Sequence, residues 1–145
     1  MSGEDFIIFN DEVLLYSKLL SYGGAGVCYQ DEWAAEELLS RGVLMEGSGK
    51  KSILIKGKNE DCHQNSAIIW THNPTKYNMV RGWALRLDDG IWFQHSWIFD
   101  NEKEIIIETT MRRKLYYGFI MTDVEAREAV KYNVDNKMIK QLFRL

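Results

Sequence analysis

Residues 79–122 read MVRGWALRLDDGIWFQHSWIFDNEKEIIIETTMRRKLYYGFIMT, and the fold turns on how this stretch divides. It breaks into four runs: MVRGWALRLDD (79–89), IWFQHSWIFD (91–100), KEIIIETTMR (103–112) and KLYYGFIMT (114–122). Each is rich in β-branched and aromatic side chains, which suit a pleated, half-buried surface. DDG (88–90) and DNEK (100–103) between them carry turn chemistry. The spacing predicts an antiparallel meander of about four strands.

The flanks read differently. FIIF (6–9) is a short apolar strand candidate, and DEVLLYSKLLS (11–21) has helical spacing stopped by YGGAG. DEWAAEELLSR (31–41) predicts a helix capped by Asp31, with Gly42 in a left-handed exit position. SILIKG (52–57) reads as a strand. Asp61 is placed to cap a helix led by Cys62, with Ala67, Ile68 and Ile69 at buried positions. Thr122 and Glu125 form a capping-box pair, so a helix follows, and a second short helix is expected over 135–143. Helices segregated from an antiparallel sheet define an α+β class. With no linker, repeat or low-complexity segment, residues 1–145 form a single domain.

Bulk properties narrow the function. The chain of 145 residues is 46% hydrophobic, with five Trp, seven Tyr and six Phe, enough for a core without disulfides or a structural metal. The net charge is −3 with both signs scattered. A nucleic-acid binder needs a concentrated basic face, and RRK (112–114) is too short to be one. No apolar run approaches the roughly 20 residues that cross a bilayer, and the acidic start lacks a signal pattern, so a cytoplasmic protein is expected. The two cysteines, Cys28 and Cys62, then read as free thiols, and no CxxC suggests a zinc or redox motif.

Three residue types point to thiol chemistry. Cys62 opens a predicted helix, where unpaired N–H groups and the helix dipole favour a thiolate and can hold an oxyanion. His95 lies mid-run in IWFQHSWIFD, where alternation puts it on one face with Phe93 and Trp97, opposite Trp92 and Gln94. An imidazole there can lower the thiol pKa and protonate a leaving group. Glu108, on the next run, is placed to orient the ring, with Thr109 or Thr110 facing the same way in another register.

The ordered set DCHQNSA (Cys62), VRGWAL (Gly82, Trp83), QHSW (His95, Ser96, Trp97) and IIETT (Glu108, Thr109) resembles the transglutaminase-like branch of the papain-like cysteine enzymes over residues 59–110. The resemblance implies a nucleophile at a helix N-terminus beside a sheet, with Cys62 as nucleophile, His95 as base and acid, and Glu108 as orienting group. It implies acyl transfer on a protein or peptide substrate, by hydrolysis, deamidation or transamidation, without a cofactor.

Other residues carry alternatives. Asn59 and Asn65 are candidate oxyanion or substrate-amide donors, and Trp97 a substrate contact. Cys28 is a rival nucleophile, although it precedes its helix by several residues. His63, His72 and His95 with Cys62 match no zinc spacing, so no metal is expected. Gly23, Gly24 and Gly26 lack the Lys-Ser/Thr ending of a phosphate loop. The alternative function is a non-catalytic protein-binding or inhibitory module on the same fold, encoded by a phage or mobile element.

Overall fold

The computed structural model describes residues 3–134. Its elements are α1 (Gly3–Tyr22), β1 (Gly26–Val27), α2 (Ala35–Arg41), β2 (Val43–Glu46), β3 (Ser52–Leu54), α3 (Cys62–His72), β4 (Tyr77–Leu85), β5 (Ile91–Asp100), β6 (Ile105–Glu108), β7 (Leu115–Ile120) and α4 (Asp123–Asn133). The helix expected over 135–143 lies outside the described residues. The α+β class holds, but the expected four-strand antiparallel meander is replaced by a mixed, seven-stranded sheet.

Its order is β2-β7-β4-β5-β6-β3, with β1 also on β5. β4, β5 and β6 are antiparallel neighbours, as a meander requires. β7 then departs from it by returning to the far side of β4, with Gly82 opposite Gly118. The reason lies on β6's other side, where β3 pairs in parallel and takes the edge that β7 would otherwise use. β1 also pairs in parallel, with the start of β5.

The sheet cannot be flat. Its two end strands, β2 and β3, are joined by residues 47–51 alone, which include a single 3₁₀ turn. Five flat strand spacings would separate those ends by about 24 Å, more than so short and folded a link spans. The strands therefore curl until the ends approach. Gly47 N–H donates to Lys114 O at 2.9 Å, and the Ser52 hydroxyl donates to Gly47 O.

Strand alternation then sorts the side chains. Val80, Ala84, Trp97, Ile106 and Tyr116 fill the concave face with Met45 and Phe99. The convex face carries the helices. Trp83, Leu85, Trp92, Tyr117 and Phe119 pack on α1 and α2, whereas Met79, Ile98 and Ile107 pack on α3 and α4. Each buried aromatic removes a large apolar area from water, which is the main drive for this layering.

Local expectations fared variously. FIIF lies inside α1, because the helical pattern that follows extends back through it. Asp31 does not cap α2. Ala34 holds the N-cap position, and the Glu32 carboxylate accepts from Ala34 N–H at 3.1 Å instead. Gly42 has φ −63, not a left-handed value. It is glycine for room, since a Cβ would sit 2.2 Å from the Tyr117 hydroxyl. Gly90 does turn left-handed, at φ +69, and closes the DDG hairpin. The Thr122–Glu125 capping box forms with both hydrogen bonds. Glu125 also takes two hydrogen bonds from Arg41, at 2.8 and 3.0 Å, while Arg41 donates a third to Ile120 O at 2.8 Å. That ties α2 to α4.

The Gly82–Gly118 pair makes room at the sheet centre. A Cβ on Gly118 would lie 2.7 Å from the Trp97 ring, and one on Gly82 only 2.0 Å from Tyr117 O. Gly82→Ala should therefore cost about 2–3 kcal/mol, the scale of overpacking a tight interior. Gly26→Ala, which meets only the tip of Ile91 at 3.3 Å, should cost less. Urea midpoints of the two variants check this, and equal midpoints would refute the steric account.

Candidate active site

Three strands, β1, β4 and β6, and one helix, α3, converge on β5. Between Phe93 and Trp97 this strand is paired with β4 on one side only. On its other side β1 covers only Ile91 and Trp92, and β6 only Ile98 to Asp100. Unpaired backbone N–H groups need partners. Gln94 N–H donates to Gln30 Oε1 at 3.0 Å. Ser96 N–H, two residues on and pointing the same way, faces the Cys62 sulfur closely enough to lower its pKa. The N-terminus of α3 thus plugs the gap in the sheet, and the thiol is its contact atom.

The approach to α3 is built for that placement. Asn65 is buried and turns back on the preceding loop. Its Oδ1 accepts from Lys58 N–H at 3.2 Å, and its Nδ2 donates to Lys58 O at 2.8 Å. Gly57 must be glycine here, because a Cβ would lie 2.5 Å from the Asn65 amide carbon. Glu60 takes φ +64, a costly conformation for a residue with a side chain. Asp61 occupies the N-cap position, but its side chain makes no cap hydrogen bond and instead lies 3.5 Å from Lys58 Nζ. The expected Asp61 cap does not form, and no side chain of the cap residue competes with the sulfur for the first-turn amides.

His95 and Glu108 project from adjacent strands onto the concave face. His95 Nε2 is 2.7 Å from Glu108 Oε1, with both side chains almost fully buried. The ring also interacts with the Cys62 thiol, which raises the imidazole pKa, and with Nε2 taken by the carboxylate, Nδ1 is the nitrogen left for sulfur. The ring lies near-parallel to Trp97, centroids 6.0 Å apart, and Tyr116 packs 6.2 Å away. Glu108 accepts further bonds from Tyr116 Oη at 2.9 Å, Thr109 N–H at 2.9 Å, and Thr110 N–H and Oγ1 at 3.0 and 3.1 Å. Arg113 Nη1 stands 3.5 Å off.

The electrostatics follow from these contacts. Burial pushes the Glu108 carboxyl up, but the His95 hydrogen bond and charge, Thr110 N–H and Arg113 outweigh it and hold the pKa at about 2. Burial pushes the Cys62 thiol up as well, yet the His95 contact and Ser96 N–H bring it below an ordinary thiol. Burial lowers His95, and its two hydrogen-bonded partners raise it above an ordinary imidazole. The three shifts favour a thiolate–imidazolium pair backed by a carboxylate. The arrangement can deliver a nucleophilic sulfur and return a proton to a leaving group.

Other residues from the sequence are placed as follows. Asn59 lies on the exposed turn before α3, and Trp97 is fully buried beside His95. His72 ends α3 on the exposed side. Cys28 follows β1, its N–H bonded to Trp92 O at 2.9 Å. Among the described residues no cluster of His, Cys, Asp and Glu is arranged to hold a metal ion, and no helix is long and apolar enough to cross a membrane.

Two participants were not legible as motifs. Gln30 reaches the site only because β1 brings its loop against the uncovered part of β5. His63 shares a hydrogen bond from Nδ1 to Ser96 Oγ. Burial, then the neighbouring Arg81 and His95 charges, lower its pKa to about 4, so it is neutral where His95 is charged. Beneath it a second buried pair anchors the loop before α2. Arg81 Nη1 and Trp83 Nε1 each donate to Glu32 Oε1 at 2.9 Å. No family model, curated protein or solved structure matches the chain.

The depressed Glu108 pKa has a sign-definite consequence. A fall from 4.5 to about 2 on folding corresponds to on the order of 3 kcal/mol of stability. It is fully present above about pH 4.5, the unfolded value, and is lost as the pH falls through the folded value of about 2. Glu108→Gln should therefore be less stable than wild type at pH 6, with the gap narrowing steadily toward pH 2. Urea unfolding across that range checks it, and a gap independent of pH would contradict the assignment.

Proposed function

We propose that the protein is a cysteine-dependent acyl-transfer enzyme of transglutaminase-like or papain-like character. The observation that carries this reading is a convergence: Cys62 at the start of a helix, His95 close enough to lower its thiol pKa, and Glu108 bonded to His95 Nε2 at 2.7 Å. Buried titratable groups whose pKa values are shifted by one another concentrate at functional sites. Here the imidazole reaches a thiol whose pKa is lowered.

In this mechanism the Cys62 thiolate attacks a carbonyl carbon, and an S–C bond forms as the carbonyl π pair moves to oxygen. The Cys62 backbone N–H and the Gln30 amide, whose own oxygen is held by Gln94 N–H, supply hydrogen bonds to that oxyanion. His95 passes its proton to the leaving group, the bond to that group breaks, and a thioester remains. Water or an amine then adds, giving its proton to His95, and the thiolate is released. Glu108 keeps the ring in one tautomer and stabilises its charge throughout. Hydrolysis, deamidation and transamidation differ only in the acceptor and leaving group.

Iodoacetamide labelling tests the reading without a known substrate. Cys62 in the folded protein should alkylate at least tenfold faster than a model thiol at pH 6, and His95→Ala should remove that advantage. Labelling of Cys62 no faster than the model thiol would refute the reading. A Cys62→Ala variant that retains full biological effect would instead favour a binding or inhibitory module.

A further inference from the structure

A cleft of about 720 Å³ opens on the convex face at the start of α3. Its volume lies in the range of sites that enclose a small organic group. His63 and Ser96 line it; His63 follows Cys62 in the chain, and Ser96 N–H faces the Cys62 sulfur. Cys62 thus lies next to its inner wall. Farther out the walls are apolar and aromatic, from Met79, Phe119, Met121 and Trp33, with Tyr132 at the rim. Trp33 is 76% exposed and Tyr132 91% exposed, unusual for residues of such apolar area.

Strand geometry decides which part of a substrate goes there. Residues 95 and 96 of β5 point to opposite faces. His95, which must protonate the leaving group, is on the concave face, whereas Ser96 and His63 are on the convex face. An acyl group bonded to Cys62 with its leaving group toward His95 extends the other way, into the cleft. The charges of the cleft also select. Arg81 on its floor is already paired with Glu32, and its guanidinium lies 4.6 Å from the Trp33 ring. Glu125 is engaged by Arg41. Glu128 meets Lys131 Nζ at 3.5 Å, but both side chains are largely exposed and the pair is weak, so Asp31 and Glu128 leave the rim with acidic character, and His63 is neutral.

Resting on the acyl-transfer reading, we infer that this cleft is the acyl-side specificity site and takes an uncharged acyl donor with a large apolar or aromatic side chain. His63 stands at its neck, clamped by Ser96, as a neutral hydrogen-bond partner for the amide nearest the scissile carbonyl. Acidic acyl groups are disfavoured by Asp31 and Glu128.

The test uses p-nitrophenyl esters, in which Cys62 sulfur displaces p-nitrophenolate to give a thioester that water then hydrolyses. The N-acetylphenylalanine ester should acylate Cys62 at least tenfold faster than the acetyl ester, after correction for their rates with free cysteine. Ala129 lines the cleft from α4, away from the chemistry. Ala129→Phe should slow the phenylalanine ester tenfold or more and leave the acetyl ester and iodoacetamide rates within threefold. Glu128→Lys, at an exposed position that tolerates change, should raise the N-acetylglutamate ester severalfold relative to the phenylalanine ester. Equal rates for bulky and acetyl esters, or an Ala129→Phe effect spread evenly over all three reagents, would overturn the inference, as would no change with Glu128→Lys. Failure of the acyl-transfer reading shows separately. Saturation-transfer NMR of N-acetylphenylalaninamide with Cys62→Ala protein reports cleft binding alone. Binding that Ala129→Phe abolishes supports the cleft assignment even if Cys62 is unreactive, and no binding overturns it.

Discussion

The site depends on an interruption in the sheet. β5 is paired along its whole length on the β4 side, but its other edge is uncovered from Phe93 to Trp97 because β1 stops short and β6 starts late. Backbone amides left in that position inside a protein must find acceptors. Gln94 N–H finds the Gln30 carboxamide, and Ser96 N–H faces the Cys62 sulfur and lowers its pKa. The architecture therefore does two jobs with one gap: it satisfies two donors and brings the start of α3 within reach of His95. A continuous β6 would pair those amides and exclude the helix.

Around this gap lie two buried ion pairs with different tasks. Glu108 is surrounded by donors and works through His95. Glu32 instead ties Arg81 and Trp83 to the loop before α2, which shapes the convex side. Pairs of this kind add little net stability once desolvation is counted, but losing one partner leaves a buried charge exposed to a strong penalty. They fix geometry more than they strengthen the fold.

Much of this was legible in the residues. The alternation in IWFQHSWIFD correctly set His95 apart from Gln94, and the ordering of Cys62, His95 and Glu108 anticipated which side chains meet. Thr122 and Glu125 announced α4 because a capping box is local. What escaped was non-local. Nothing in KLYYGFIMT says that β7 lies beside β4 instead of β6, since that choice is made by β3, which ends at Leu54, far earlier in the chain, taking the β6 edge. Gln30 and His63 carry no motif; their roles come from which strand edge is open and which face Ser96 occupies. Asn65 looked like a substrate donor because its type and position suit one, but its amide is consumed by both polar atoms of the Lys58 backbone.

The Arg41–Glu125 tie has a further meaning for the convex side. Two nearly parallel bonds join the end of α2 to the beginning of α4, and a third anchors Arg41 to the end of β7. Glu125 and Phe119 are themselves part of the cleft wall. The aperture is thus set by hydrogen bonds of 2.8–3.0 Å among three elements before any guest arrives. Size selection then acts at entry, and these three elements need no rearrangement to form the aperture, which lowers the ordering cost of association.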